Sequence, residues 1–271
     1  DPPYYARYMA ALRQAQIEPL LVLSFANVNY DSGKTPFTPA GRAAFAAYGA
    51  EVSRRYREQV HAVEVWNEVN GSFCSGPCVL DRAGTYSALL EDSYAALKRA
   101  QPDLTVIGGA AVKVPMPWFD ALIAHGAARH WDAVAVHPYR GDPEGARRDI
   151  DDLHARLRAA GSAAPIWVTE FGTGAGTRSA ADRVATAAYL VRMAVVLRAA
   201  GVERMYWYLL RDYAEFQGMG LLRADNDPLG RYAPTPAYAA YATLIGLSDG
   251  ASQVAREPTD PRTYVYRFER D

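Results

Sequence analysis

His61-Ala62-Val63-Glu64-Val65-Trp66-Asn67-Glu68 is a short, largely apolar run closed by a polar pair, and it reads as a buried strand that delivers a carboxylate at its end. The same pattern returns in Ala164-Pro165-Ile166-Trp167-Val168-Thr169, followed by Glu170-Phe171-Gly172. Runs that are apolar throughout, rather than alternating, belong to strands covered on both faces, as in parallel sheets flanked by helices. Four more runs fit this template: Pro19 to Phe25, Leu104 to Gly109, Asp132 to His137 and Val202 to Leu209.

Helical patterns fill the gaps. The first, Tyr4 to Gln16, carries Tyr5, Tyr8, Met9 and Leu12 at helical spacing. Helices follow from Pro39 to Gln59 behind Thr38 as N-cap, from Asp81 as cap to Ala100, and from Pro117 to Ala128. Glu144 to Ala160 stops at Gly161, Ala180 to Ala200 stops at Gly201, and Pro236 to Leu247 is last. Strand and helix alternate, so the predicted class is α/β. No Gly-x-Gly-x-x-Gly follows any strand, which argues against an open nucleotide-binding sheet. Gly172-Thr173-Gly174-Ala175-Gly176 lacks phosphate-loop spacing and reads as a mobile loop beside a site.

Composition excludes several classes. With 271 residues, 50% of them hydrophobic and 22% charged, the chain is long enough to bury the core of one large domain. A formal net charge of −1 gives no general attraction to nucleic acid or to an anionic membrane. No apolar stretch reaches the roughly 18 residues of a spanning helix. The chain opens on Asp1-Pro2-Pro3 without Met, which reads as a processed chain or a piece of a longer one. Its two cysteines, Cys74 and Cys78, are too few for a four-ligand zinc site. Gly76-Pro77 supplies a turn between them, so a local disulfide is the favoured reading, with two free thiols as the alternative. A disulfide would suit a periplasmic or secreted location. The sequence carries no signal for an oligomeric state.

Trp66-Asn67-Glu68, His137-Pro138-Tyr139, Thr169-Glu170-Phe171-Gly172, Trp207-Tyr208 and Pro234-Thr235-Pro236-Ala237-Tyr238 together resemble the clan of retaining (β/α)8-barrel glycosidases. The nearest likeness is to glycoside hydrolase family 39 and related exopolysaccharide glycosidases. In that clan the acid/base Glu closes strand 4 and the nucleophilic Glu closes strand 7. The resemblance therefore implies a TIM-type barrel in which the run ending at Phe25 is strand 3 and strands 1 and 2 are missing from this chain. The arginine that the clan brings from strand 2 would be missing with them. Residues 1–250 would form the barrel portion, strands 3 to 8. Residues 251–271, with Thr263 to Phe268 alternating like a strand, would begin a C-terminal β extension. Both ends are then expected to continue in a longer protein.

The resemblance implies a retaining O-glycoside hydrolase acting on an oligosaccharide or polysaccharide, with carbohydrate as its partner and with no cofactor and no metal. Glu170 would be nucleophile and Glu68 acid/base in a double displacement. Asn67 would bind the sugar 2-hydroxyl, which needs a bulge or strand-end twist, because strict alternation sends neighbours to opposite faces. His137 would line the sugar pocket, Tyr139 would hold Glu170, and Trp207 would be a platform for a sugar ring. Asn27 and Lys113, on loops after strands, are further substrate-binding candidates, while Trp66, Trp118, Trp131 and Trp167 read as core. Tyr30, Arg140, Arg178 and Arg211 lie on the same set of loops, and their cations raise the idea of an acidic glycan. Two other readings stay open: a catalytically silent carbohydrate-binding barrel, and a transglycosidase.

Overall fold

Each predicted apolar run overlaps a strand, and each predicted helical stretch overlaps a helix. The computed structural model describes residues 2–173, 179–213, 216–260 and 263–270. The chain separates into two compact units, one of residues 1–136 with 155–165 and one of residues 137–154 with 166–271.

In the first unit α1 (Pro2–Gln14) precedes β1 (Leu20–Leu23), α2 (Pro39–Arg55), β2 (Ala62–Val65), α3 (Arg82–Ala100), β3 (Thr105–Val112) and α4 (Met116–Ala124). β4 (Ala133–His137) ends at the first residue of the second unit. β1 pairs with β2 and β2 with β3, both parallel, with Leu20 opposite Ala62 and Ala62 opposite Thr105. All four residues of β2 are buried, as the uninterrupted apolar run predicts. The caps are those expected. Thr38 Oγ1 accepts from Gly41 N at 3.1 Å and is itself held by Asp31, and Asp81 accepts from Gly84 N at 2.8 Å. Trp66, Trp118 and Trp131 are core residues here, as Trp167 is in the second unit.

Three expectations needed correction in this unit. α2 stops at Arg55 rather than Gln59, because Tyr56 leaves helical geometry and serves as its C-cap. The predicted helix over Pro117 to Ala128 ends at Ala124, and a separate 3-10 turn, Ala127–Arg129, follows Gly126 in the left-handed region. In α1 only Met9 of the predicted apolar stripe is buried, while Tyr4, Tyr5 and Tyr8 are exposed. Helical spacing places side chains on a common face without saying that anything covers it.

α5 (Ala146–Ala159) begins in the second unit and ends in the first. The second unit continues with β5 (Ile166–Phe171), α6 (Ala180–Ala199), β6 (Arg204–Trp207), α7 (Pro236–Ser248), β7 (Ala251–Arg256) and β8 (Tyr266–Arg270). α6 starts with a full capping box between Ser179 and Asp182, and it packs on α7. β5 and β6 pair in parallel with a register shift between Val168 and Phe171. β8 pairs antiparallel with β7, a strand that the sequence reading did not foresee.

The six parallel strands are ordered β1-β2-β3-β4-β5-β6, each beside its neighbour in the chain, and β7-β8 form a separate two-stranded sheet. Successive β/α units laid side by side in chain order are the construction of a (β/α)8 barrel, here represented by six strands.

Candidate active site

The first unit contributes the end of β2. The strand stops at Val65, and the chain then turns through two non-glycine residues in the left-handed region, Trp66 (φ 68°) and Glu68 (φ 41°), with Asn67 between them. This is the strand-end twist that the adjacent pair Asn67-Glu68 requires. Left-handed backbone costs on the order of 1 kcal/mol or more per residue outside glycine, and it persists only where the surroundings impose it. They do so here. Trp66 N donates to Leu23 O at 2.8 Å, its indole N–H donates to Phe73 O at 2.7 Å, and its ring lies 5.6 Å from that of Phe45. Gly71 N closes the turn onto Glu68 O at 2.8 Å.

Two residues absent from the sequence reading hold this turn from outside. Asn70 bridges to the end of β3, donating to Val112 O at 3.0 Å and accepting from Val112 N at 2.9 Å. The Arg82 guanidinium donates to Val69 O and Gly71 O at 2.7 and 2.6 Å. Asn70 lies two positions after Glu68, a spacing that hints at such a bracket, whereas nothing local announces Arg82. Beneath the strand, Tyr86 donates to Val65 O at 3.0 Å. Burial first, and then the negative charge of Glu64, hold its phenol well above the ordinary range. Cys74 and Cys78 are bonded to each other across a 3-10 turn. That loop is clasped at Thr35 and Ser75, each backbone N–H donating to the other's hydroxyl at 3.1 and 2.9 Å. Asn27 and Lys113 are exposed beyond the ends of β1 and β3.

The second unit contributes β5 and the segment following β4. The register shift between Val168 and Phe171 is where Thr169 and Glu170 sit, and such an irregularity re-aims side chains at a strand end. Tyr139 Oη donates to Glu170 Oε2 at 2.8 Å, the contact expected of it. His137, 1% exposed, shares a hydrogen bond between its Nε2 and Thr169 Oγ1 at 3.0 Å, and its Nδ1 lies 3.8 Å from Glu170 Oε2. The Glu170 side chain is 25% exposed, so the carboxylate is braced on one side and open on another. Gly172 is required by close approach: a Cβ there would lie 2.7 Å from Tyr208 O. Of the glycine-rich loop, Gly174, Ala175 and Gly176, together with Arg178, lie outside the described residues.

Trp207 is a correction. It is 8% exposed, donates its indole N–H to Met219 O at 2.8 Å, and packs edge-on against Phe171 at 5.2 Å. With its N–H satisfied internally and its ring enclosed, it supports Phe171, next to Glu170, instead of offering an open platform. Partly exposed aromatic surface lies on the same loop, where the half-buried Phe216 has the rings of half-buried Tyr208 and exposed Tyr213 at 5.5 and 5.3 Å. That loop is anchored by Asp212, which accepts from Gly218 N and Gly220 N and forms a buried pair with Arg183 of α6 at 3.0 Å. Arg140, one of the loop cations, is paired with Asp149.

Comparison with known proteins bears on the family and the fold. Residues 41–234 match the family model of the glycosyl hydrolase catalytic core. No curated protein sequence matches the chain. Among solved structures, a family 39 glycoside hydrolase from the gut symbiont Bacteroides cellulosilyticus WH2 is similar at 21% identity with a TM-score of 0.77, over 100% of this chain and 59% of that one. A monomeric beta-xylosidase from Caulobacter crescentus CB15 follows at 21% identity and 0.73, over 97% and 64%. The GH39 enzyme from Xanthomonas axonopodis pv. citri gives 19% and 0.73, over 97% and 62%. The chain thus spans about six-tenths of the length of these structures, and at such identities the likeness is one of fold.

Proposed function

Because this chain belongs to the glycosyl hydrolase catalytic core family, we propose that it carries the reacting centre of a retaining O-glycosidase, with Glu170 as nucleophile and Glu68 as acid/base. The observation that carries this reading is the setting of Glu170: an accessible carboxylate at an irregular strand end, oriented by the Tyr139 hydroxyl at 2.8 Å. A nucleophile must hold one oxygen toward the anomeric carbon, and a donor fixed on the other oxygen does that. Glu68, on a turn constrained at both flanks, would protonate the leaving oxygen and then take the proton from water. Asn67, His137, Asn27 and Lys113 are the proposed contacts to the sugar. The bonded Cys74 and Cys78 support an oxidising, periplasmic or secreted setting, and residues 251–270 are proposed as the start of a β extension beyond the barrel.

The direct test is Glu170→Gln and Glu68→Gln, assayed on aryl glycosides. Each is expected to lower kcat on the order of a thousandfold while glycan binding persists. Proton NMR of the first-formed product should show the substrate's anomeric configuration. An inverted product would replace the nucleophile by a base, and wild-type binding without turnover would leave a carbohydrate-binding protein.

A further inference from the structure

We infer that the loop joining β6 to α7 carries a subsite for an anionic sugar residue, centred on Tyr232 and the guanidinium groups of Arg211 and Arg231. The proposal deepens the glycosidase reading and rests on it for the identity of the ligand as a sugar.

Two cations converge on one phenol. The guanidinium carbon of Arg211 lies 5.4 Å from the Tyr232 ring centroid, and that of Arg231 lies 4.8 Å from it. Both groups also donate to the phenolic oxygen, at 3.4 and 3.3 Å. Two like charges gathered around one ring repel each other, and an anion bound between them relieves that repulsion. The nearest compensation is a single carboxylate for two cations: Asp225 lies 4.0 Å from Arg211, is itself well exposed, and also acts on Arg231 from beyond ion-pair distance. Four other arginines of the unit have closer carboxylate partners, Arg140 with Asp149, Arg183 with Asp212, Arg192 with Glu144 and Arg223 with Asp227. Among the described residues no carboxylate forms an ion pair with Arg231. Its hydrogen bond, ahead of the two nearby positive charges, holds the Tyr232 phenol below its ordinary range, as expected where cationic donors gather.

Position and surroundings point to a sugar as the bearer of the charge. The loop leaves β6 at its C-terminal end, the end at which the parallel strand β5 presents Glu170, and Tyr208 N donates to Phe171 O at 2.8 Å. Tyr208, Tyr213 and Phe216 stand on the same loop, with the two hydroxyls 3.0 Å apart. Aromatic faces take the C–H face of a pyranose, and guanidinium forks take the two oxygens of a carboxylate or sulfate ester.

The test titrates the full chain, as the Glu170→Gln variant, with tetragalacturonate, a sulfated tetrasaccharide and cellotetraose at low and high salt. Tighter binding of an anionic probe than of cellotetraose, lost at high salt, is expected. Arg231→Gln should weaken binding of that anionic probe about fivefold at low salt, the scale of one exposed ion pair. Arg231 is exposed on its loop, so the substitution leaves the fold intact. The preferred anionic probe identifies the charge as carboxylate or sulfate. Equal binding of all three probes, or anion binding indifferent to Arg231→Gln, overturns the subsite. The titrations need no turnover, so an inactive wild-type chain that still prefers an anionic probe refutes the glycosidase reading alone. Turnover of neutral glycosides without that preference refutes the subsite alone.

Discussion

Tyr139 donates to Glu170 over 2.8 Å, and deleting that one donor isolates its contribution. Tyr139→Phe removes the hydroxyl and keeps the ring, so on the proposed mechanism kcat/KM should fall about tenfold or more, the scale of one hydrogen bond to a charged group. A loss without change in the circular dichroism or melting temperature supports the positioning role, and full activity would refute it. The Arg183–Asp212 pair carries a second expectation. Asp212→Ala removes the nearer carboxylate of a buried guanidinium, leaving it Asp227 at 3.8 Å, and frees two backbone N–H groups, so denaturant titration should show a loss of about 3 kcal/mol. Glu68, Glu170 and Tyr139 were legible in the sequence because each stands at or just beyond an apolar run. Trp207 was not, because its ring is fixed by a carbonyl at Met219, twelve positions away across a loop of irregular path. Arg82 escaped for the same reason, its acceptors being backbone oxygens that no residue type announces.

Between elements, the segment ahead of α5 is tied to α6 by Glu144 and Arg192, whose two contacts of 2.8 and 2.5 Å form a bidentate pair. The hydrogen bond from Arg192, chiefly, holds the Glu144 carboxyl below the usual glutamate range. A carboxyl depressed in the folded state adds stability that is present above its unfolded value, about 4.3, and is lost as pH falls through the lower folded value. Arg192→Gln should therefore lower the melting temperature at neutral pH, with the gap to wild type closing as the medium is acidified below about pH 4. A gap independent of pH would assign the effect to packing. Most strands and helices were legible from periodicity and caps, since burial on both faces leaves uninterrupted apolar runs. β7 was hidden because Ala251-Ser252-Gln253-Val254-Ala255-Arg256 has neither such a run nor a clear alternation, and its pairing with β8 defines it.

For the molecule as a whole, the sheet order matters at its boundary. Among the described residues β1 pairs with β2 alone, and Val22 on it is 46% exposed, although its apolar run reads as a strand covered on both faces. Edge strands with apolar side chains invite pairing with other chains. For the 271-residue chain by itself, Val22→Lys should reduce concentration-dependent association measured by light scattering, with melting unchanged to within about 0.5 kcal/mol. Unaltered association would place the sticky surface elsewhere. Sequence reading gave the strand order through chain succession, but exposure at an edge depends on what lies beside it, which periodicity does not encode.

The same succession shapes how the chain is made. With every parallel strand beside its predecessor, each newly synthesised strand–helix unit finds its docking partner in the segment that has just emerged, so loop closure stays short and ordering can proceed from the N-terminal side as synthesis continues.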